Sequence, residues 1–215
     1  MIKNIAVIFD MDGVLVDNSV YHQRAFKEYF DRIGGREFTP DMFGRSNEDI
    51  LKLMFPGISG EKIEEYTEGK EAYYRKIFKP HMQPLKGLLD LLKTFKANNI
   101  KMAVGSSAPT VNVDFVLDGL DIRHYFDQVV DSSGVAKAKP APDIYLKAAK
   151  LLGVEPVNCV VFEDAIAGIE AARQAGMKVV SVATTLSFDD LACTDDQIHD
   201  FSLVDIDFIY KLFVN

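Results

Sequence analysis

Short, nearly unbroken apolar runs recur along the chain at residues 5–9, 101–104, 128–130, 159–162 and 178–182, with a weaker sixth at 202–204. Strands covered on both faces have this pattern, because neither face is left to polar side chains. Between several of the runs lie segments of helical period, at 85–98, 110–120, 142–152 and 165–175. In the last of these, Ile166, Ile169, Ala172 and Ala175 recur every third residue. Gly153 and Gly176 follow the final two segments, where a helix commonly closes in a left-handed turn. The alternation predicts an α/β fold: a Rossmann-like, doubly wound parallel sheet with helices on both faces.

Residues 17–84 break the rhythm. They carry no strand signal, only charge-rich, helix-like sequence such as 21–33 and 61–78, punctuated by Thr39-Pro40, Phe55-Pro56-Gly57 and Lys79-Pro80. Placed after the first strand, this stretch predicts an α-helical domain (17–84) inserted into a core made of residues 1–16 and 85–215. The insert holds 11 basic and 12 acidic residues and the core 13 and 20, so the core carries nearly all of the net charge of −8.

At 215 residues, with 48% hydrophobic and 26% charged positions, the chain is long and apolar enough to bury its own core and lies far from the composition of disorder. The negative charge argues against nucleic-acid partners, whose phosphates attract basic surfaces. No apolar run approaches the ~18 residues of a membrane span. Asp10 and Asp12 interrupt the apolar start, so it does not form a signal peptide. Cys159 and Cys193 offer no ligand spacing and no disulfide framework, which suits a reducing compartment. A soluble, cytoplasmic, monomeric protein is expected.

Ligands of open α/β sheets bind beyond the carboxyl ends of the strands. The first strand runs into Asp10-Met11-Asp12-Gly13, and side chains two apart in extended chain share a side, so two carboxylates converge. Such a pair calls for a cation, and oxygen-only donors favour a hard ion such as Mg²⁺. A calcium loop fails, because Val14, Leu15 and Tyr21 stand at its third ligand, its glycine and its glutamate. Dinucleotide, Walker, zinc and serine-hydrolase signatures are absent. After 101–104 comes Gly105-Ser106-Ser107-Ala108-Pro109, a hydroxyl-bearing turn opening a helix, where an anion is favoured; alone, a serine there reads as an N-cap. Lys139-Pro140-Ala141-Pro142-Asp143 sets a cation before a rigid helix start, and the run at 159–162 delivers a second acidic pair, Glu163-Asp164.

This ordered set of motifs resembles the haloacid dehalogenase superfamily, in its β-phosphoglucomutase-like branch with a helical cap after the first strand. The resemblance spans essentially the whole chain. It implies Asp10 as the nucleophile that forms an aspartyl-phosphate and Asp12 as general acid and base. Ser106, Ser107 and neighbouring backbone would hold the transferring phosphoryl group, Lys139 would neutralise Asp10 and phosphate, and Asp10, Asp12, Glu163 and Asp164 would bind Mg²⁺.

Substrate choice is expected from the cap. Tyr21-His22 and Lys70 match positions of the mutase pattern, so His22 and Lys70 are candidate substrate contacts, although each also fits an ordinary helix face. In Gly44-Arg45-Ser46-Asn47-Glu48-Asp49, Asn47 stands where the pattern has the arginine that grips a second phosphate. An asparagine lacks that charge and its bidentate geometry, and Arg45 lies two residues away. The expectation is a phosphatase acting on a small phosphorylated metabolite such as a sugar phosphate. A β-phosphoglucomutase interconverting β-glucose 1-phosphate and glucose 6-phosphate is the alternative, and a catalytically silent metal-binding module the non-enzymatic one.

Overall fold

The computed structural model of the chain describes residues 4–35, 47–191 and 193–214. Its elements run β1 (Ala6–Phe9), α1 (Ser19–Arg32), α2 (Asn47–Met54), α3 (Gly60–Phe78), α4 (Leu88–Ala97), β2 (Lys101–Gly105), α5 (Thr110–Gly119) and β3 (Gln128–Val130). There follow α6 (Asp143–Leu152), β4 (Cys159–Glu163), α7 (Ile166–Gln174), β5 (Lys178–Val182), β6 (Asp196–Ile198) and α8 (Ile206–Lys211). The six strands form one parallel sheet in the order β3-β2-β1-β4-β5-β6. The chain builds outward from β1 through β2 and β3, then crosses back to lay β4 on the other side of β1. The crevice of a doubly wound sheet opens at such a reversal.

The chain divides into two compact units, Met1–Asp17 with Gln83–Asn215, and Asn18–Met82. In the first, every residue of β1 and β4 is buried, as continuous apolar strands under two helical layers must be. One face packs Ala6, Ile8, Ala103, Val161 and Val179 against Tyr145, Ala148 and Ala149 of α6 and Ile169 and Ala172 of α7. On the other, Phe9 stacks on Phe162 at 5.3 Å and both meet the Phe201 ring edge-on. Each fully buried side chain of this size contributes roughly 1.5–3 kcal/mol, so the strand ends are held by a rigid floor.

The second unit is helical. Phe30 of α1 and Ile50, Leu51 and Met54 of α2 form its centre, joined by Phe26, Tyr29, Ile63 and Tyr66. Ser59 caps α3 by accepting a bond from the Lys62 N–H at 3.3 Å.

One expected strand is corrected. Residues 202–204 do not pair; Asp200 Oδ1 accepts from the Ser202 N–H at 2.8 Å and starts a 3₁₀ turn, Phe201–Leu203, which sinks Phe201 beneath the sheet and leaves Leu203 exposed. The sixth strand is β6, three residues long and mostly polar, paired along one side only with β5. Among the described residues no helix is long and apolar enough to cross a membrane.

Candidate active site

The register of the central strands assembles the site. Phe9 pairs with Phe162 across β1 and β4, so the next residues, Asp10 and Glu163, emerge side by side, and the Asp10 N–H donates to the Phe162 carbonyl at 3.0 Å. Lys139, from the loop ahead of α6, reaches both: its Nζ donates to Asp10 Oδ1 at 2.5 Å and to Glu163 Oε1 at 2.6 Å. Asp10, Glu163 and Asp164 each offer a carboxylate oxygen within 4.8 Å of the others, the one such grouping of potential metal ligands among the described residues.

The local backbone explains why these carboxylates can crowd together. Beyond Asp10 the chain turns back on itself: the Leu15 N–H donates to the Met11 carbonyl at 2.9 Å and the Gly13 N–H to the Val16 carbonyl at 2.8 Å. Gly13 has φ +74°, and a Cβ there would overlap the Asp164 carboxylate, so both conformation and space demand glycine. Thr184 Oγ1 donates to the Gly13 carbonyl at 2.6 Å, and Thr185 Oγ1 donates to Asp164 Oδ2. Both threonines follow β5, tying a third strand end into the site.

Glu163 has every acceptor position engaged. Its Oε1 accepts from Lys139 and from the Tyr145 hydroxyl at 2.8 Å; its Oε2 accepts from the N–H groups of Asp164 at 2.8 Å and Ala165 at 2.9 Å. A carboxylate has about four such positions. Its charge therefore acts on the site while its oxygens hold Lys139 and the start of α7 in place.

Three carboxylates share one ammonium. Burial is the largest influence on Asp10, and although Lys139 opposes it, Glu163 and then Asp12 add to it, pushing Asp10 up to about 8. Burial, with Glu163 and Asp10, likewise raises Asp164 well above the carboxylate range. Burial alone would lower Lys139, but Asp10 and Glu163 overcome it and hold the lysine firmly cationic. Summed, the ionised cluster carries −3 against +1, and the deficit of two charges matches one divalent cation. With oxygen donors only, the arrangement fits Mg²⁺. The Asp12 carboxylate stands outside the group of three.

Ser106, nearly fully buried, follows β2: its N–H donates to the Val130 carbonyl at 2.9 Å and its Oγ accepts from the Ala108 N–H at 3.0 Å. Ser107 is exposed. The cap candidates lie within the helical unit, where they form a polar cluster. Lys70, 2% exposed, lies 2.5 Å from Glu71 Oε1 and 4.2 Å from the centre of the Phe26 ring; Asn47 Nδ2 donates to the same Glu71 oxygen at 2.8 Å. His22 stacks on Tyr74 at 3.8 Å. Arg45 lies outside the described residues.

Tyr145, Thr184 and Thr185 escaped sequence reasoning. They belong to no motif, and only their places near the strand ends, on the first turn of α6 and just after β5, mark them.

A sequence profile described as "Haloacid dehalogenase-like hydrolase" matches residues 7–182. The chain is 35% identical over 184 residues to fructose-1-phosphate phosphatase YqaB of Escherichia coli, covering 82% of this chain and 95% of that one. It is 38% identical over 188 residues to β-phosphoglucomutase of Bacillus subtilis, covering 82% of each. Protein SUPPRESSOR OF QUENCHING 1, chloroplastic, of Arabidopsis thaliana is 35% identical over 191 residues, but the match spans only 18% of that longer protein. Among solved structures, a HAD hydrolase, family IA, variant 3, from Entamoeba histolytica superposes with a TM-score of 0.92 at 31% identity, covering 98% of this chain and 100% of that one.

Proposed function

The chain belongs to the haloacid dehalogenase-like hydrolases, and from that premise we propose that it is a Mg²⁺-dependent phosphatase that hydrolyses a small phosphorylated metabolite, such as a sugar phosphate, through an aspartyl-phosphate at Asp10. The observation that carries this reading is the Asp10, Lys139, Glu163 and Asp164 cluster at adjoining strand ends, three buried carboxylates around one lysine.

Asp10, at the end of β1, is the nucleophile, and Asp12 gives a proton to the leaving oxygen and then takes one from the attacking water. Lys139 neutralises charge on Asp10 and on the phosphoryl oxygens. The Ser106 hydroxyl, which accepts from Ala108 and keeps its own proton to donate, holds those oxygens together with Ser107 and nearby backbone N–H groups. Asp10 and Asp164 through carboxylates, Asp12 through its main-chain carbonyl and Glu163 through its charge would hold Mg²⁺. When bound, the ion supplies the positive charge that shields the incoming phosphate from the carboxylates.

The helical unit Asn18–Met82 is assigned the role of a specificity cap, with His22, Asn47 and Lys70 as substrate contacts. The relatives include both a phosphatase and a mutase. The preference for the phosphatase rests on Asn47, which brings no charge where the mutase pattern has an arginine. A bisphosphate intermediate needs an uncommitted cation for its second phosphate. The net charge of −8 and the free Cys159 and Cys193 fit a monomeric cytoplasmic enzyme with neither nucleic acid nor membrane as partner.

The test is a panel of phosphorylated metabolites assayed for phosphate release with Mg²⁺, including β-glucose 1-phosphate with a trace of glucose 1,6-bisphosphate. Hydrolysis of sugar monophosphates is the expected outcome. Glucose 6-phosphate appearing well ahead of free phosphate would establish the mutase, and no turnover with any divalent ion the silent module.

A further inference from the structure

We propose that Tyr145 is a positioning residue for phosphoryl transfer: its hydroxyl, bonded to Glu163, sets how Lys139 is shared between Glu163 and Asp10. The inference rests on the phosphatase reading above and adds to it a residue outside every motif.

Tyr145 lies on the first turn of α6 and is fully buried. Its hydroxyl donates to Glu163 Oε1 at 2.8 Å, the oxygen that also accepts from Lys139 at 2.6 Å, while Lys139 donates to Asp10 Oδ1 at 2.5 Å. The lysine Nζ also stands 4.8 Å from the centre of the tyrosine ring, within the range of a cation–π contact. One side chain thus touches the lysine with its face and the lysine's carboxylate partner with its hydroxyl. The ring is wedged against the sheet: a Cβ added at Gly105 of β2 would stand 3.2 Å from its edge.

The consequence follows from competition for one oxygen. Two donors share Glu163 Oε1, so neither satisfies its charge alone. Without the phenol, Lys139 is the remaining donor to that oxygen among the described residues, and a charge-assisted bond strengthens when its acceptor is less satisfied. The ammonium is then drawn toward Glu163 and away from Asp10 and the phosphoryl group in flight. Because catalysis of this transfer depends on placed positive charge, the loss falls on the transition state more than on the bound substrate.

Tyr145→Phe in the full chain tests this, because it keeps the ring, its packing and its face against the lysine, and removes only the hydroxyl with its bonds to Glu163 and Lys139. With the best substrate of the panel, kcat is expected to fall about tenfold, the scale of one hydrogen bond to a charged group, with KM and the thermal midpoint nearly unchanged. A second measurement needs no turnover: with Mg²⁺ present, the variant should bind inorganic phosphate as wild type does but orthovanadate, which resembles the five-coordinate transition state, about tenfold more weakly. A kcat within about twofold of wild type, or phosphate and vanadate weakened alike, overturns the proposal, as does a loss that tracks a fall in thermal midpoint. Wild-type turnover tests the functional reading separately, and the variant-to-wild-type ratio in vanadate binding tests Tyr145 alone.

Discussion

At the scale of single residues, the site is a contest between burial and charge. Asp10 is pushed up to about 8 because burial and two neighbouring carboxylates outweigh one lysine. The folded, ion-free protein therefore keeps a proton on Asp10, from about pH 4 to about pH 8, that the unfolded chain, with its ordinary value of 3.8, has already released. In that window the native state binds more protons, so stability falls as pH rises. Mg²⁺ replaces the proton as counter-charge, and its stabilisation should therefore be larger near pH 8 than near pH 5. Thermal melts with Mg²⁺ and with EDTA at both values check this, and a pH-independent difference would count against it. Asp10, Glu163 and Asp164 were legible in the sequence because each ends or directly follows a strand, and Lys139 because it precedes a proline-fixed helix start. Tyr145 and Thr185 were not, because their partners, Glu163 and Asp164, lie 18 and 21 residues away in sequence and meet them only through the sheet.

At the scale of elements, the loop after β1 and the start of α7 are shaped to let carboxylates approach backbone. Gly13 is at φ +74° under Asp164, and Gly168 of α7 leaves no room for a Cβ beside the Glu163 carboxylate. Gly13→Ala should cost about 1–2 kcal/mol of stability from the left-handed backbone. It should also lower turnover by about 10²-fold or more by displacing Asp164; denaturant melts and steady-state assays measure the two effects separately. In α3, Glu71 is held below the usual carboxylate value: burial opposes this, but Lys70, then His22, and bonds from Lys70 and Asn47 prevail. Glu71→Ala removes the buried carboxylate that Lys70 and Asn47 both bond and should destabilise the protein by about 3–5 kcal/mol, visible as an early unfolding transition. The four central strands, β1, β2, β4 and β5, were legible because both their faces are covered, and the edge strand β3 because Val129 and Val130 keep a short apolar run. β6 was not, because an edge strand of three residues, Asp-Gln-Ile, has no such apolar signature. The run at 202–204 misled because Phe201 and Val204 are buried by a turn and not by pairing.

At the scale of the molecule, the strand order, reversing at β1, explains why chemistry spread from residue 10 to residue 185 meets in one place. The inserted helical unit was visible as an interruption of the alternation. The bond from Asn47 to Glu71 within it was not, because the two lie 24 residues apart in sequence. Asn47→Arg should restore a guanidinium where the mutase pattern has one. Measured by the ratio of glucose 6-phosphate formed to phosphate released, this variant should shift toward phosphoryl exchange; an unchanged ratio would remove Asn47 from the specificity argument. The most direct test of the account compares phosphate release from a simple aryl phosphate by wild type and Asp10→Asn, each verified as folded, with Mg²⁺ and with EDTA. The account predicts Mg²⁺-dependent turnover in wild type and a loss of at least ~10³-fold in Asp10→Asn. Turnover by the variant within tenfold of wild type, or wild-type turnover indifferent to EDTA, would contradict it.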